Sequence, residues 1–116
     1  LYAPLALGAV ASTCVTNQYD PPNGSSGNQT RDQNKLGSFG YVRVTVPTAR
    51  VYQITVDGPG NSDPDFDVFA GGRLASSVGL GTSETTSVNL PAGDIVLAVN
   101  DANRSLSNTC FNVRIQ

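Results

Sequence analysis

The sequence predicts an all-β domain built as an antiparallel β-sandwich. Twelve Gly and seven Pro residues among 116 divide the chain into short segments. Within most of these segments apolar and polar residues alternate, which is the period of a strand with one buried face. No segment shows the period of an amphipathic helix of normal length. Short strands joined by Gly- and Pro-rich turns are typical of two sheets packed face to face.

The chain is expected to form one domain in two parts, because its length suits a single domain. Residues 36–116 would form the sandwich core, and residues 1–35 would add an N-terminal strand and a long polar loop packed on it. The apolar run Leu5–Ala11, continued to Val15, predicts one strand, with a short helix as the alternative because Ala and Leu favour helices. From Tyr19 to Lys35 the chain is polar and rich in turn residues, which predicts a loop.

Two alternating segments are predicted to begin the sandwich core. In Phe39–Val46 the valines share one face, and in Val51–Asp57 the alternate residues beginning at Tyr52 are apolar. Pro47-Thr48-Ala49 is a tight link between these strands, and so short a link predicts a hairpin.

The later segments are predicted to complete the sheets. An acidic strand leads to Gly71-Gly72, and the structure of residues 73–80 is not predicted. Glu84 begins the next strand. The segment Ile95–Val99 is apolar at every position, which is expected of a strand in the middle of a sheet. In the last strand Phe111, Val113 and Ile115 are predicted to point inward, and Cys110, Asn112 and Arg114 outward.

Composition argues against several functions. The net charge of −2 and the lack of a basic patch make nucleic acid an unexpected partner. The chain has no His, so its Ser, Thr and Cys residues lack the commonest activating base, and we expect the isolated domain to be non-catalytic. A glycosidase-like pair of Asp65 and Asp67 is the alternative, but no aromatic sugar platform accompanies it. No apolar run is long enough to span a membrane.

Cys14 and Cys110 lie near opposite ends of the chain. Their separation fits neither a redox motif nor a zinc site, so a disulfide between the terminal segments is predicted, with two free thiols as the alternative. A disulfide implies an oxidising compartment, and we expect a secreted or cell-surface protein. The chain has no Met, even at position 1, and we expect a processed or excised piece of a longer protein.

The acidic segment is a candidate calcium site. Asp63, Asp65 and Asp67 occupy alternate positions and would share one side of a strand, where a hard cation would relieve their mutual repulsion. Calcium takes about six to eight oxygen ligands, more than one strand provides, so Asp20 or Asn23 of the long loop would complete the shell. Alternatively, the acids form a solvated edge that discourages aggregation. Both interpretations are open at this point.

Tyr41 and Arg43 are candidate ligand-binding residues, because both point outward from the first core strand. On a sheet surface such residues are also ordinary cross-strand neighbours, and this alternative is open too.

The segments after the long loop follow a recognisable order. Alternating strands precede an acidic strand, a downstream Glu, and a Pro-Ala-Gly turn into an apolar strand: Tyr52-Gln-Ile-Thr-Val, Asp65-Phe-Asp-Val-Phe, Glu84, and Pro91-Ala-Gly-Asp before Ile95-Val-Leu-Ala-Val. This series resembles the bacterial pre-peptidase C-terminal domain family, relatives of the collagen-binding domains of secreted collagenases. Val68-Phe69 stands where the family has Leu-Tyr.

The resemblance implies a jelly-roll-like sandwich and a non-catalytic accessory module of a secreted bacterial enzyme, a protease. Such a module would aid substrate binding, or folding and export. Its expected partners are a parent catalytic domain and an extracellular protein or polysaccharide. The alternative is a structural or adhesive module of a cell-surface protein with no attached enzyme.

Overall fold

The computed structural model describes residues 2–16, 39–103 and 108–116. Within these ranges the chain forms nine strands and no helix, so none of the described residues belongs to a helix able to cross a membrane. The strands are β1 Tyr2–Leu5, β2 Val10–Thr16, β3 Gly40–Val46, β4 Arg50–Asp57, β5 Pro64–Ala70, β6 Gly72–Ser77, β7 Ser83–Leu90, β8 Gly93–Asp101 and β9 Asn108–Ile115.

The nine strands form two sheets. The five-stranded sheet has the order β1-β3-β8-β5-β6, and the four-stranded sheet has the order β2-β9-β4-β7. Neighbouring strands are antiparallel, except that β1 runs parallel to β3. The two sheets pack face to face, and the predicted antiparallel β-sandwich is confirmed.

The core lies between the sheets. It consists of the inward-facing residues of strands along which buried and exposed positions alternate. Strand β9 shows the pattern, because Phe111, Val113 and Ile115 are fully buried while the residues between them are exposed, as predicted. Strand β8 occupies the centre of the larger sheet. Its inward residues are fully buried, and Ala98 on its other side is 6% exposed, which confirms the predicted mid-sheet strand.

The prediction of one N-terminal strand is wrong. Residues 2–16 form two strands joined by a turn in which Gly8 has a φ of 79°, a conformation that glycine adopts without steric cost. Strand β1 joins one sheet and β2 joins the other. The run of Ala and Leu is therefore neither a continuous strand nor the short helix given as its alternative.

The predicted hairpin at Pro47-Thr48-Ala49 is also wrong. Strand β3 pairs with β1 and β8, whereas β4 pairs with β7 and β9 in the other sheet. The short link therefore crosses from sheet to sheet. Even when they lie in different sheets, both strands bury one face in the same core. Their apolar residues therefore alternate just as they would in a hairpin.

Residues 73–80, which the sequence pattern left undefined, include most of strand β6, which begins at Gly72. It is an edge strand, and none of its side chains is fully buried. An edge strand with little burial has no alternating apolar face, which explains why its pattern is weak.

Candidate ligand-binding face and acidic cluster

The two cysteines form the predicted disulfide. Cys14 and Cys110 are register partners on β2 and β9, with Cα atoms 3.9 Å apart. Both residues are exposed on the outer side of the smaller sheet, as the outward parity of Cys110 predicted. The bond therefore fastens the edge strand β2 to its neighbour.

The three acids of the β5 region alternate with buried residues, as predicted. Pro64, Phe66 and Val68 are buried, while Asp63, Asp65 and Asp67 are partly exposed.

Asp67 has a positive partner on the neighbouring strand, since Arg73 Nη1 lies 3.6 Å from its carboxylate. The repulsion expected along the acidic strand is therefore reduced at this end.

Asp63 lies instead beside two acids that were not among the predicted calcium ligands, Glu84 and Asp101. Glu84 is the second residue of β7 in the smaller sheet, and Asp101 ends β8 in the larger one. Both are buried, at 7% and 0% exposure. We call Asp63, Glu84 and Asp101 the acidic cluster, and it lies at one end of the sandwich.

Asp101 is held by three hydrogen bonds. The backbone N–H groups of Asp63 and Asn103 donate to Oδ1 at 3.0 and 2.9 Å, and the hydroxyl of Thr109 donates to Oδ2 at 2.7 Å. Glu84 accepts a hydrogen bond from the Ser77 hydroxyl. These two carboxylates therefore link the segments that meet at this end of the sandwich.

The charge of Asp63 is the least stabilised by hydrogen bonds among the three acids of the cluster. Burial raises the pKa of Asp63 above its ordinary value, the N–H of Gly81 acts in the opposite direction, and the charges of Asp101 and Glu84 raise this pKa further. Its buried Oδ1 atom has no hydrogen-bond partner among the described residues.

The alternation of inward and outward residues along β7 and β8 could have revealed the cluster. Asp101 follows Ile95, Leu97 and Val99 at alternate positions, and Glu84 precedes Val88 and Leu90 in the same way. Both acids therefore have the inward parity of core residues.

The predicted calcium site is only partly within the described chain. Asp20 and Asn23 lie outside the described residues. In the ranges that are described, no three His, Cys, Asp or Glu side chains are arranged to hold a metal ion. Calcium binding stays a prediction, supported by carboxylate oxygens of the type that this cation prefers and by the unpartnered Oδ1 of Asp63.

Tyr41 belongs to a row of three aromatic side chains on the outer face of the larger sheet. Its ring lies 5.9 Å from that of Tyr2 in an edge-to-face contact, and 6.4 Å from that of Phe39 in a stacked contact. Tyr2 and Tyr41 are 55% and 39% exposed. We call Tyr2, Phe39 and Tyr41 the aromatic row. Sequence analysis missed Tyr2, because β1 was not recognised as a separate strand.

Arg43 lies beside the aromatic row and is bound to a neighbouring acid. Its guanidinium and the hydroxyl of Thr45 both donate to the carboxylate of Asp94, and these hydrogen bonds hold the pKa of Asp94 below its ordinary value. A groove of about 710 Å³ lies against Arg43 and Thr45, lined by residues of β1, of the turn after β1 and of β3, and by Pro47 just after β3. The two predicted ligand-binding residues thus lie on one surface.

The fold and these sites define a class of protein, a disulfide-fastened two-sheet β-sandwich with an exposed aromatic row. Among solved structures, the chain is similar to a particular domain, the pre-peptidase C-terminal domain of a collagenase from Bacillus anthracis. The TM-score is 0.69 at 9% identity, covering 100% of this chain and 95% of that chain. The resemblance predicted from the sequence is therefore confirmed at the level of the fold.

Two further solved structures have lower TM-scores. A periplasmic inhibitor of g-type lysozyme, PliG of Aeromonas hydrophila, has a TM-score of 0.47 at 16% identity, with 100% of both chains covered. A β-glucosidase from Paenibacillus barengoltzii has a TM-score of 0.40 at 16% identity, with 97% of this chain and 11% of that chain covered. No protein-family model matches the sequence, and no curated protein matches it either.

Proposed function

We propose that this chain is a non-catalytic accessory module of a secreted bacterial enzyme, a protease, and that it aids substrate binding. The observation that carries the proposal is the likeness, over the whole chain, to the pre-peptidase C-terminal domain of a collagenase. Two further features support it. The sequence contains no His to activate a nucleophile. The disulfide suits the oxidising environment of an exported protein.

We assign substrate binding to the aromatic row and Arg43. Exposed aromatic rings offer a large apolar area at a small cost in conformational entropy. The guanidinium beside them adds a charged donor for a carboxylate or carbonyl group. The row lies on the open outer face of a sheet, so it suits an extended extracellular polymer, either protein or polysaccharide.

Binding to immobilised polymers tests this assignment. We expect the domain to bind gelatin or an insoluble polysaccharide, and Tyr41→Ala to weaken that binding about tenfold, or by about 1.4 kcal/mol. Val51→Ala, a change at an exposed residue of the other sheet, is the control and should bind as the unchanged protein does. Retention of full affinity by Tyr41→Ala would remove the aromatic row from the proposal.

The open reading frame around the domain tests the proposed parent enzyme. A peptidase sequence such as His-Glu-x-x-His in the same gene would support an accessory module of a protease. Tandem β-domains without an enzyme would favour the structural or adhesive alternative.

Calcium binding is a second part of the proposal, with Asp63, Asp65 and Asp67 as ligands and Asp20 or Asn23 completing the shell. A ligand that binds only the folded state at a hundredfold excess over its dissociation constant stabilises it by about 2.7 kcal/mol. Millimolar calcium should therefore raise the melting temperature by roughly 4–8 °C relative to chelator. Asp65→Asn should abolish most of this rise, and Asp94→Asn should not. A melting temperature indifferent to calcium would leave the acids as a solvated edge.

A further inference from the structure

Among the described strands, four lie at sheet edges, and two of these four carry features that block pairing with another chain. Strand β1 has four residues and contains Pro4, which has no N–H. Strand β6 pairs with β5 through an irregular register and carries Arg73. Short length, proline, bulges and charge are the devices by which proteins protect sheet edges.

Strand β7 has none of these devices. Its eight residues pair with β4 through an unbroken register from Arg50↔Leu90 to Asp57↔Ser83. Its only charged residue, Glu84, is buried. No described strand pairs with its other side.

The hydrogen bonds show which β7 residues face the open edge. Gln53 and Gln116 exchange both backbone hydrogen bonds, so the odd-numbered residues of β4 face β9 and the even-numbered ones face β7. The hydrogen bond from Gly58 N–H to the carbonyl of Thr82 agrees with this. On β7 the even-numbered residues therefore bond to β4. The N–H and C=O groups of Ser83, Thr85, Ser87 and Asn89 point to the open edge.

We propose that β7 pairs with β7 of a second copy of this chain, antiparallel and about a two-fold axis at Thr86. This register places Thr85 opposite Ser87 and Ser83 opposite Asn89 of the second copy. All four N–H and four C=O groups of each edge then find partners. Glu84 falls opposite Val88 of the second copy, so no like charges oppose each other. The four-stranded sheet becomes a continuous sheet of eight strands.

Exposed apolar side chains in the segment before β7 support the same partner. Val78 and Leu80 are 73% and 93% exposed, and they lie in the segment that leads into β7. In the two-fold register this segment runs alongside the turn at Pro91-Ala92 of the second copy. The dimer would therefore reduce the water contact of the two most exposed large hydrophobic residues of the described chain.

A proline substitution tests the edge without breaking the fold. Ser87→Pro removes an N–H that faces the open edge and leaves the β4–β7 hydrogen bonds intact. Ser12→Pro is the matched control. Because Gln116 bonds to β4, the odd-numbered residues of β9 face β2, and their register partners on β2 are also odd-numbered. The N–H of Ser12 therefore points to the open edge of β2. Mass is measured by sedimentation equilibrium across micromolar to millimolar protein, with circular dichroism and melting temperature as checks of folding.

We expect the unchanged protein and Ser12→Pro to dimerise, and Ser87→Pro to weaken dimerisation at least tenfold. If Ser87→Pro fails to fold, the double variant Thr85→Lys/Ser87→Lys replaces it. In the proposed register each lysine faces a lysine of the second copy, and both side chains stay exposed on the folded chain. A monomer at every concentration overturns the proposal. So does a dimer that survives Ser87→Pro or the lysine variant, or that is lost in Ser12→Pro.

Discussion

Asp101 shows how a single buried carboxylate organises one end of the sandwich. It accepts hydrogen bonds from Asp63, Asn103 and Thr109, which lie in separate segments that meet at this end of the sandwich. Hydrogen bonds to a charged group contribute about 1.5–3 kcal/mol each, and they offset the cost of burying the charge. The neighbouring Asp63 lacks comparable support, and this difference has a measurable consequence.

Asp63→Asn should raise the free energy of unfolding at neutral pH in the presence of chelator. The folded protein raises the pKa of Asp63 above its ordinary value of 3.8, chiefly through burial. A group of this kind stabilises the fold below its unfolded pKa, and the stabilisation is lost as pH rises through the folded pKa. At neutral pH the charge therefore opposes folding, and Asn removes it. The gain should disappear as pH falls below 3.8, as measured by urea unfolding at a series of pH values.

Asp94→Asn is the control, because its pKa is displaced in the opposite direction by the hydrogen bond from Arg43. This carboxylate favours folding above its unfolded pKa, so its replacement should give no gain at neutral pH. A neutral-pH loss in Asp63→Asn without calcium would contradict the proposed burial effect.

At the scale of elements, the centre and the edge of the larger sheet should respond differently to the same substitution. Leu97 is fully buried on the central strand β8, and Leu74 is 44% exposed on the edge strand β6. Leu97→Ala should lower the free energy of unfolding by about 2–5 kcal/mol, because it leaves a cavity in the core. Leu74→Ala should change it by no more than about 0.5 kcal/mol. Equal losses in urea unfolding would contradict the assigned strand order.

Alternation within an element predicted burial well but predicted sheet membership poorly. The inward residues of β3, β4 and β9 followed from period-two patterns, because each strand meets the core with one face. The link at residues 47–49 was misinterpreted, since a hairpin and a crossing between sheets produce the same alternation on both sides of a short turn.

At the scale of the whole molecule, the disulfide joins residues 96 positions apart. Replacing both Cys14 and Cys110 by Ala should lower the free energy of unfolding by about 2–5 kcal/mol, because the unfolded chain regains the freedom that the bond removed. Urea denaturation measures this loss. The matched control is Ser12→Ala/Asn112→Ala, a register pair on the same two strands. A double Cys variant no less stable than this control would show that strand pairing alone holds β2 in place.

The sequence by itself determined the sandwich class, the inward residues of most strands and the disulfide. These features depend on local alternation and on the count of cysteines, and both can be observed along the chain. Only the tertiary structure decided which sheet each strand joins, which acids meet Asp63 and which ring meets Tyr41. Those contacts join segments that are distant in sequence, such as β5 with β7 and β8, or β1 with β3. They arise from the competition among all strand pairings for one shared core, and no single segment encodes its outcome.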